Sequence, residues 1–240
     1  KNLLIIQKSD LIGNHFLANC PKLDSITIVP CHKKQIEYFD DKFLVFKSLP
    51  WNEIYDTLIW VNPTIETIII PSFIKIIKNS ACWGNKSLTQ ISIPSSVHVF
   101  GDYLFYGCSS LKQFSIPSHL KEIGISFFNE CSSLAQITIL PSVTTIEMGS
   151  FKGCLSLVQI TIPSSVTYIG DDSFKNCTSL TQVIFECPSC IKSIKNSTFN
   201  KCTSLAQITI PSSVKSIGNY AFYECSSLIQ ITFESSSNVQ

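Results

Sequence analysis

The stretch LAQITIPSSVKSIGNYAF at residues 205–222 repeats LVQITIPSSVTYIGDDSF at residues 157–174 with few changes. Leucines open such copies at Leu88, Leu111, Leu134, Leu157, Leu180, Leu205 and Leu228, so the spacings are 23, 23, 23, 23, 25 and 23. A unit of 23 residues cannot bury an apolar face alone, so a chain built this way must stack copies of itself. One period before Leu88 lies Ile65, where IETIIIP keeps the register of LTQISIP. Residues 12–30 match residues 217–233 and put Leu23 in the same column. The interval from Leu23 to Ile65 is about two periods with a few residues missing, and FLVF at Phe43–Phe46 is the expected strand of a degenerate unit. About ten units are expected, with residues 1–30 an N-terminal unit, 31–60 degenerate and 61–240 regular, all in one repeat domain spanning 1–240.

Each unit has two halves with different periods. In Ile208-Thr209-Ile210 apolar and polar residues alternate, as on a strand with one buried face, and Pro211 ends the ladder. After it, Val214, Ile217, Ala221 and Phe222 recur every three to four residues, which predicts a short helical or turn-like return. The expected fold is a solenoid with a parallel sheet on one face and these returns on the other, on the order of 45 Å long. The two extra residues in FECPSCIKSI, 185–194, are expected as a loop outgrowth.

Composition excludes several classes. Hydrophobic residues make up 45% and the mean hydropathy is +0.25, enough for a large core. The 18 basic and 17 acidic residues nearly cancel, and no basic run carries interleaved aromatics, so nucleic acid is not an expected partner. No stretch reaches the roughly 18 to 20 apolar residues that span a bilayer. The opening KNLLIIQKSD has too short an apolar core for a signal peptide.

The recurring Leu, strand, Pro, Val, Ile-Gly, Ala-Phe and Cys positions closely resemble the BspA-like, or Treponema-type, leucine-rich repeat. The resemblance is strong over residues 65–233, weaker over 12–30 and absent between. It implies a leucine-rich-repeat solenoid with no shared catalytic residues and no cofactor. Members of the family occur in anaerobic bacteria and mucosal protists and are implicated as surface proteins in adhesion to host matrix, host cells or other microbes. Others of similar sequence serve as intracellular interaction scaffolds. The IPSSV units and the Ile, Lys, Asn and Phe usage look like the protist branch.

The chemistry-bearing residues fall into columns. Cys20, Cys108, Cys131, Cys154, Cys177, Cys202 and Cys225 share one position with Asn62 and Asn85. Exchange with Asn argues against a bridge there and for a small side chain bonding buried backbone, so a ladder of free thiols is expected. Cys187 and Cys190 form C-x-x-C without a second pair or a close His, leaving an incidental loop pair, a local disulfide or a metal half-site. Cys82 replaces a core Phe. His15, His32, His98 and His119 are scattered and suggest no triad; the Ser-Ser pairs recur as turn chemistry; Asp171 and Asp172 suit a solvated turn; and Gly124, Gly170 and Gly218 give way to Glu147 and Lys195 in sister units, unlike a phosphate loop. An enzyme is not expected.

Gln90, Gln113, Gln136, Gln159, Gln182, Gln207 and Gln230 form an unbroken column on the open sheet face beside a Ser/Thr column. Either the amides bond one another and keep the face hydrated, or they offer hydrogen bonds to an extended partner. Ile69 and Ile184 interrupt the Ser/Thr column, and Glu66, Lys112 and Asp24 vary its neighbour. Trp51 and Trp60 lie in the charged irregular stretch, either as interface anchors or as repacked core. These features predict a protein partner: host matrix or a surface protein if the chain is secreted or displayed, an intracellular enzyme if it is cytoplasmic. The apolar final unit also predicts self-association through an uncapped end.

Overall fold

In the computed structural model, which describes strands Asn2–Ile6 and Ser25–Val29 and residues 36–47 and 54–235, the alternating stretch of each unit is a short strand. These strands begin at Thr67, Gln90, Gln113, Gln136, Gln159, Gln182, Gln207 and Gln230. They run parallel in strict register, with Gln113 opposite Gln136, Gln159 opposite Gln182 and Gln207 opposite Gln230. A constant period dictates this, because every coil brings the chain back to the same place in the same direction. Alternation then decides the faces: Ile160, Ile162, Ile208 and Ile210 are buried while Gln159 and Gln207 face out.

The return is not helical. It opens with a second two-residue strand, such as Thr145–Ile146, Tyr168–Ile169 and Ser193–Ile194, and continues as turns; among the described residues there is no helix. The backbone supplies the reason. Two positions in each coil have left-handed φ. One column is Ser80, Tyr103, Ser126, Gly149, Asp172, Ser197 and Tyr220; the other, with φ between 56° and 73°, is Gly84, Gly107, Glu130, Gly153, Asn176, Lys201 and Glu224. Left-handed residues cannot continue a right-handed helix. They instead send N–H groups along the solenoid axis: Tyr103, Phe105 and Gly107 donate to the carbonyls of Ile125, Phe127 and Asn129, and Ser126, Phe128 and Glu130 donate to Met148, Ser150 and Lys152. The apolar three-to-four spacing therefore marks a tight turn with an inward Phe.

The contiguous solenoid has eight turns, from Thr67 to Phe233, rather than about ten. Phe43–Phe46 is a strand, but it runs antiparallel between Ile36–Phe39 and Thr57–Val61. Asp40 and Asp41 both have positive φ and Lys42 N–H donates to the Phe39 carbonyl, which closes a hairpin that no repeat unit contains. Thr57–Val61 then joins the second ladder beside Ile76–Ile77, forming a five-stranded sheet. Phe43, Val45, Leu58 and Val61 are buried there, so the meander covers the first coil. Asn2–Ile6 and Ser25–Val29 pair in parallel with the 23-residue offset, Asn2 opposite Ser25.

Two buried columns run through the core. Phe105, Phe128, Phe151, Phe174, Phe199 and Phe222 stack with centroids 5.3–5.6 Å apart and planes within 17° of parallel. Beside them each ladder thiol donates to a carbonyl of the preceding coil, as Cys131 Sγ to Phe105 O at 3.1 Å and Cys177 Sγ to Phe151 O at 3.2 Å. Asn85 does the same work, its Nδ2 donating to Asn62 O at 3.2 Å while its Oδ1 accepts from the N–H of Ser87 and Leu88. That explains the Cys/Asn exchange: the site requires a small donor aimed at a buried carbonyl.

Phe151→Ala is expected to cost about 3–5 kcal/mol in urea denaturation, since neighbouring coils are pinned by backbone bonds and cannot close the cavity. Gly170 has a different constraint. A Cβ there would lie 2.6 Å from the backbone nitrogen of Met148, so Gly170→Ala is expected to cost roughly 1–3 kcal/mol by the same measurement.

Candidate binding surface

All seven glutamines of the column are exposed on the open face of the first ladder. Their side chains do not bond one another. Among the described residues only Gln230 of the column donates to another side chain, to Thr232 Oγ1 at 3.3 Å. The face thus carries in-register amides whose hydrogen bonds go outward. Gln136, Thr138, Val158, Gln159, Thr161 and Glu186 border a depression of about 640 Å³ where the pairing between successive coils lapses.

The departures from the repeat are not gathered into one patch. Ile69 is 74% exposed opposite Ser92, whereas Ile184 is half-buried opposite Thr161. Five coils separate them, about 24 Å at the usual strand spacing. Glu66 and Lys112 are exposed; Asp24 and Trp51 lie outside the described residues. Trp60 is buried at 5% exposure inside Thr57–Val61, so it packs the capping meander and is not presented as an interface anchor. Aromatics reach the surface elsewhere. Trp83 stacks on Tyr106 with centroids 4.3 Å apart and planes 17° apart, and Tyr103 lies 5.7 Å from Trp83. The sequence signal for this was available: the position after the core Phe is Asn or Lys at Asn129, Lys152, Lys175 and Asn200 but aromatic at Trp83, Tyr106 and Tyr223.

The other chemistry-bearing residues serve the backbone. Asp171 Oδ1 accepts the Asn196 N–H at 3.0 Å, and Asp172 lies between Lys152 and Lys175. His98 and His119 each hold a neighbouring carbonyl, of Ser96 and Val97; His15 and His32 lie outside the described residues. All nine described cysteines are unbonded. Burial drives the ladder thiols well above the ordinary range, as at Cys131 and Cys177, by disfavouring the thiolate. Cys187 and Cys190 are exposed, and Cys187 Sγ lies 3.6 Å from Glu234 Oε1, whose carboxylate raises its thiol pKa.

A parallel solenoid of 23-residue coils, with a Cys/Asn column and no helix among the described residues, defines a class of leucine-rich repeat. Residues 52–181 and 178–240 match the BspA type leucine rich repeat region in six copies, and the chain belongs to that family. It is similar to a leucine rich cell surface protein of Faecalibacterium prausnitzii, at 30% identity and TM-score 0.65, over 87% of this chain and 55% of that one. It is similar also to the leucine rich repeat protein of T. pallidum, at 26% identity and TM-score 0.64, over 84% and 90%. A leucine-rich repeat protein of Eubacterium ventriosum shares the fold at TM-score 0.73, 22% identity, over 100% of this chain and 61% of that one. The chain thus spans little more than half of the Faecalibacterium relative. No curated protein sequence matches it.

Brief alkylation of native protein is expected to label Cys187 and Cys190 and spare the six ladder cysteines from Cys108 to Cys225 until unfolding, as read by peptide mass mapping. The Glu234 charge disfavours the Cys187 thiolate, so Cys187 labelling should rise with pH later than for an ordinary thiol. Glu234→Gln should move that profile to lower pH.

Proposed function

We propose that this chain is a non-enzymatic protein-interaction scaffold of the adhesin type, carried at the cell surface or secreted, whose open sheet face binds a host matrix or cell-surface protein. Leucine-rich repeat solenoids are interaction scaffolds as a class. The observation that carries the reading is the Gln column: seven exposed amides that do not bond one another among the described residues, flanked by hydroxyls, on successive parallel strands. Such a face suits an extended, uncharged partner segment, with Ile69 at one edge as an apolar contact. The Faecalibacterium relative is described as a cell surface protein, which favours the same location. Among the described residues no helix is long and apolar enough to cross a membrane.

One observation favours a second reading, an intracellular adaptor or regulatory subunit of an enzyme. Nine unbonded thiols match a reducing compartment. Labelling of intact cells with a membrane-impermeant reagent separates the two locations.

The final coil also suits a second copy of the chain. Ile229, just before the strand Gln230–Phe233, is 88% exposed and Phe233 65%, and among the described residues no strand pairs with the outer edge of that strand. A monomeric mass by light scattering at micromolar concentration would remove that part of the proposal.

The scaffold reading is tested by solid-phase binding to immobilised matrix and cell-surface proteins. Replacing both Gln136 and Gln159 by Lys is expected to lower capture at least tenfold without changing the melting temperature. Unchanged capture by that variant would assign binding to another face.

A further inference from the structure

We propose that the turn face, on the side of the coil away from the Gln column in sequence, holds a binding groove for a short oligosaccharide, with Tyr106 and Trp83 as its stacking platform. The groove is a shallow open depression of about 710 Å³ that runs from Trp83 and Lys86 to Asn176 and Thr178. Gly84, Gly107, Glu130, Gly153 and Asn176 mark its course, one per coil. Four coil spacings make it on the order of 19 Å long.

The groove exists because of two columns. At the left-handed position two residues after the core Phe column, Gly84, Gly107 and Gly153 carry no side chain, and this leaves a trough between the flanking positions. Two residues further along each coil, Ser109 and Ser132 are short where sister coils have Lys86 and Leu155. At one end the aromatic pair stands where the four following coils have Asn129, Lys152, Lys175 and Asn200. Tyr106 Oη also lies 3.4 Å from Glu130 Oε1, which fixes the ring against the trough.

The lining selects among ligand classes. A peptide strand is disfavoured, because the N–H groups of Gly84, Gly107, Glu130, Gly153 and Asn176 already donate to the next coil and leave no edge to extend. A nucleic acid is disfavoured because the trough holds a single lysine, Lys86, and a carboxylate, Glu130, so it carries no net positive charge. An apolar ligand would find aromatic rings and Leu155 but would bury hydroxyls and an amide without partners. A pyranose fits each part. Its C–H face, weakly positive, sits on the negative face of an aromatic ring, while its hydroxyls exchange hydrogen bonds with Ser132, Asn176 and Glu130. This surface is separate from the Gln column, so either site can exist without the other.

The test is saturation-transfer NMR of the whole chain with cellotetraose and with chitotetraose, the two arms reporting whether an acetamido group is needed. Binding of either sugar, weakened at least tenfold by Tyr106→Ala and by Trp83→Ala, is the expected result. Ser109→Lys provides the control for folding, because the column already accepts Lys86 and Leu155; it should keep the melting temperature and block the groove. Binding of neither tetrasaccharide, or binding that survives Ser109→Lys, overturns the proposal.

Discussion

The structure depends on backbone hydrogen bonds that run along the solenoid axis. Neighbouring coils are bonded at up to three faces: through the long strands, which pair two coils at a time, through the two-residue strands, and through the turn face, where Phe105 N–H reaches Phe127 O and Phe128 N–H reaches Ser150 O. Because these bonds link a residue to its equivalent one coil away, every coil must have the same path. Side chains are then stacked into columns without choice, and a residue type is tolerated only if it tolerates its own kind above and below. The Phe stack and the Cys ladder are two consequences. A planar ring and a small thiol both repeat at one coil spacing without clash, and the thiol also settles a buried carbonyl.

The same constraint separates architecture from recognition. Inward columns vary little, since Leu88, Leu111, Leu134, Leu157, Leu180 and Leu205 are each fully buried. Outward columns are free to vary, and here they do so unevenly. The Gln column is uniform and turned to solvent, while the turn face changes from Trp83 and Tyr106 at one end to lysine and asparagine in the middle. An exposed column that stays uniform presents one repeated chemistry along its length; one that changes presents a local site. The two proposed surfaces are of these two kinds.

Much of this was legible before any coordinates. Period, strand position, the facing of Gln207 and Ile208, and the unbonded thiol ladder all follow from column identity and alternation. The turn face was not. Apolar residues every three to four positions describe a helix and a tight turn equally well, and what separates them is the left-handed φ at Tyr103, Lys201 and Glu224, residues whose side chains do not announce it. The irregular segment misled for a related reason: Phe43–Phe46 looks like a strand in either direction, and only the Asp40-Asp41 turn reverses it. Trp60 was ambiguous between surface and core because its strand packs on both sides.

The repeat by itself determined the parallel register, the coil length and the membership of each core column, because identical units related by one translation have only one way to share a core. Tertiary structure alone decided how the coils end and which exposed letters meet. The meander that covers the first coil, the separation of Ile69 from Ile184 and the meeting of Trp83 with Tyr106 across a glycine-lined trough are contacts between different coils. Their geometry is set by the backbone path between units, and a single-unit pattern contains no information about that path.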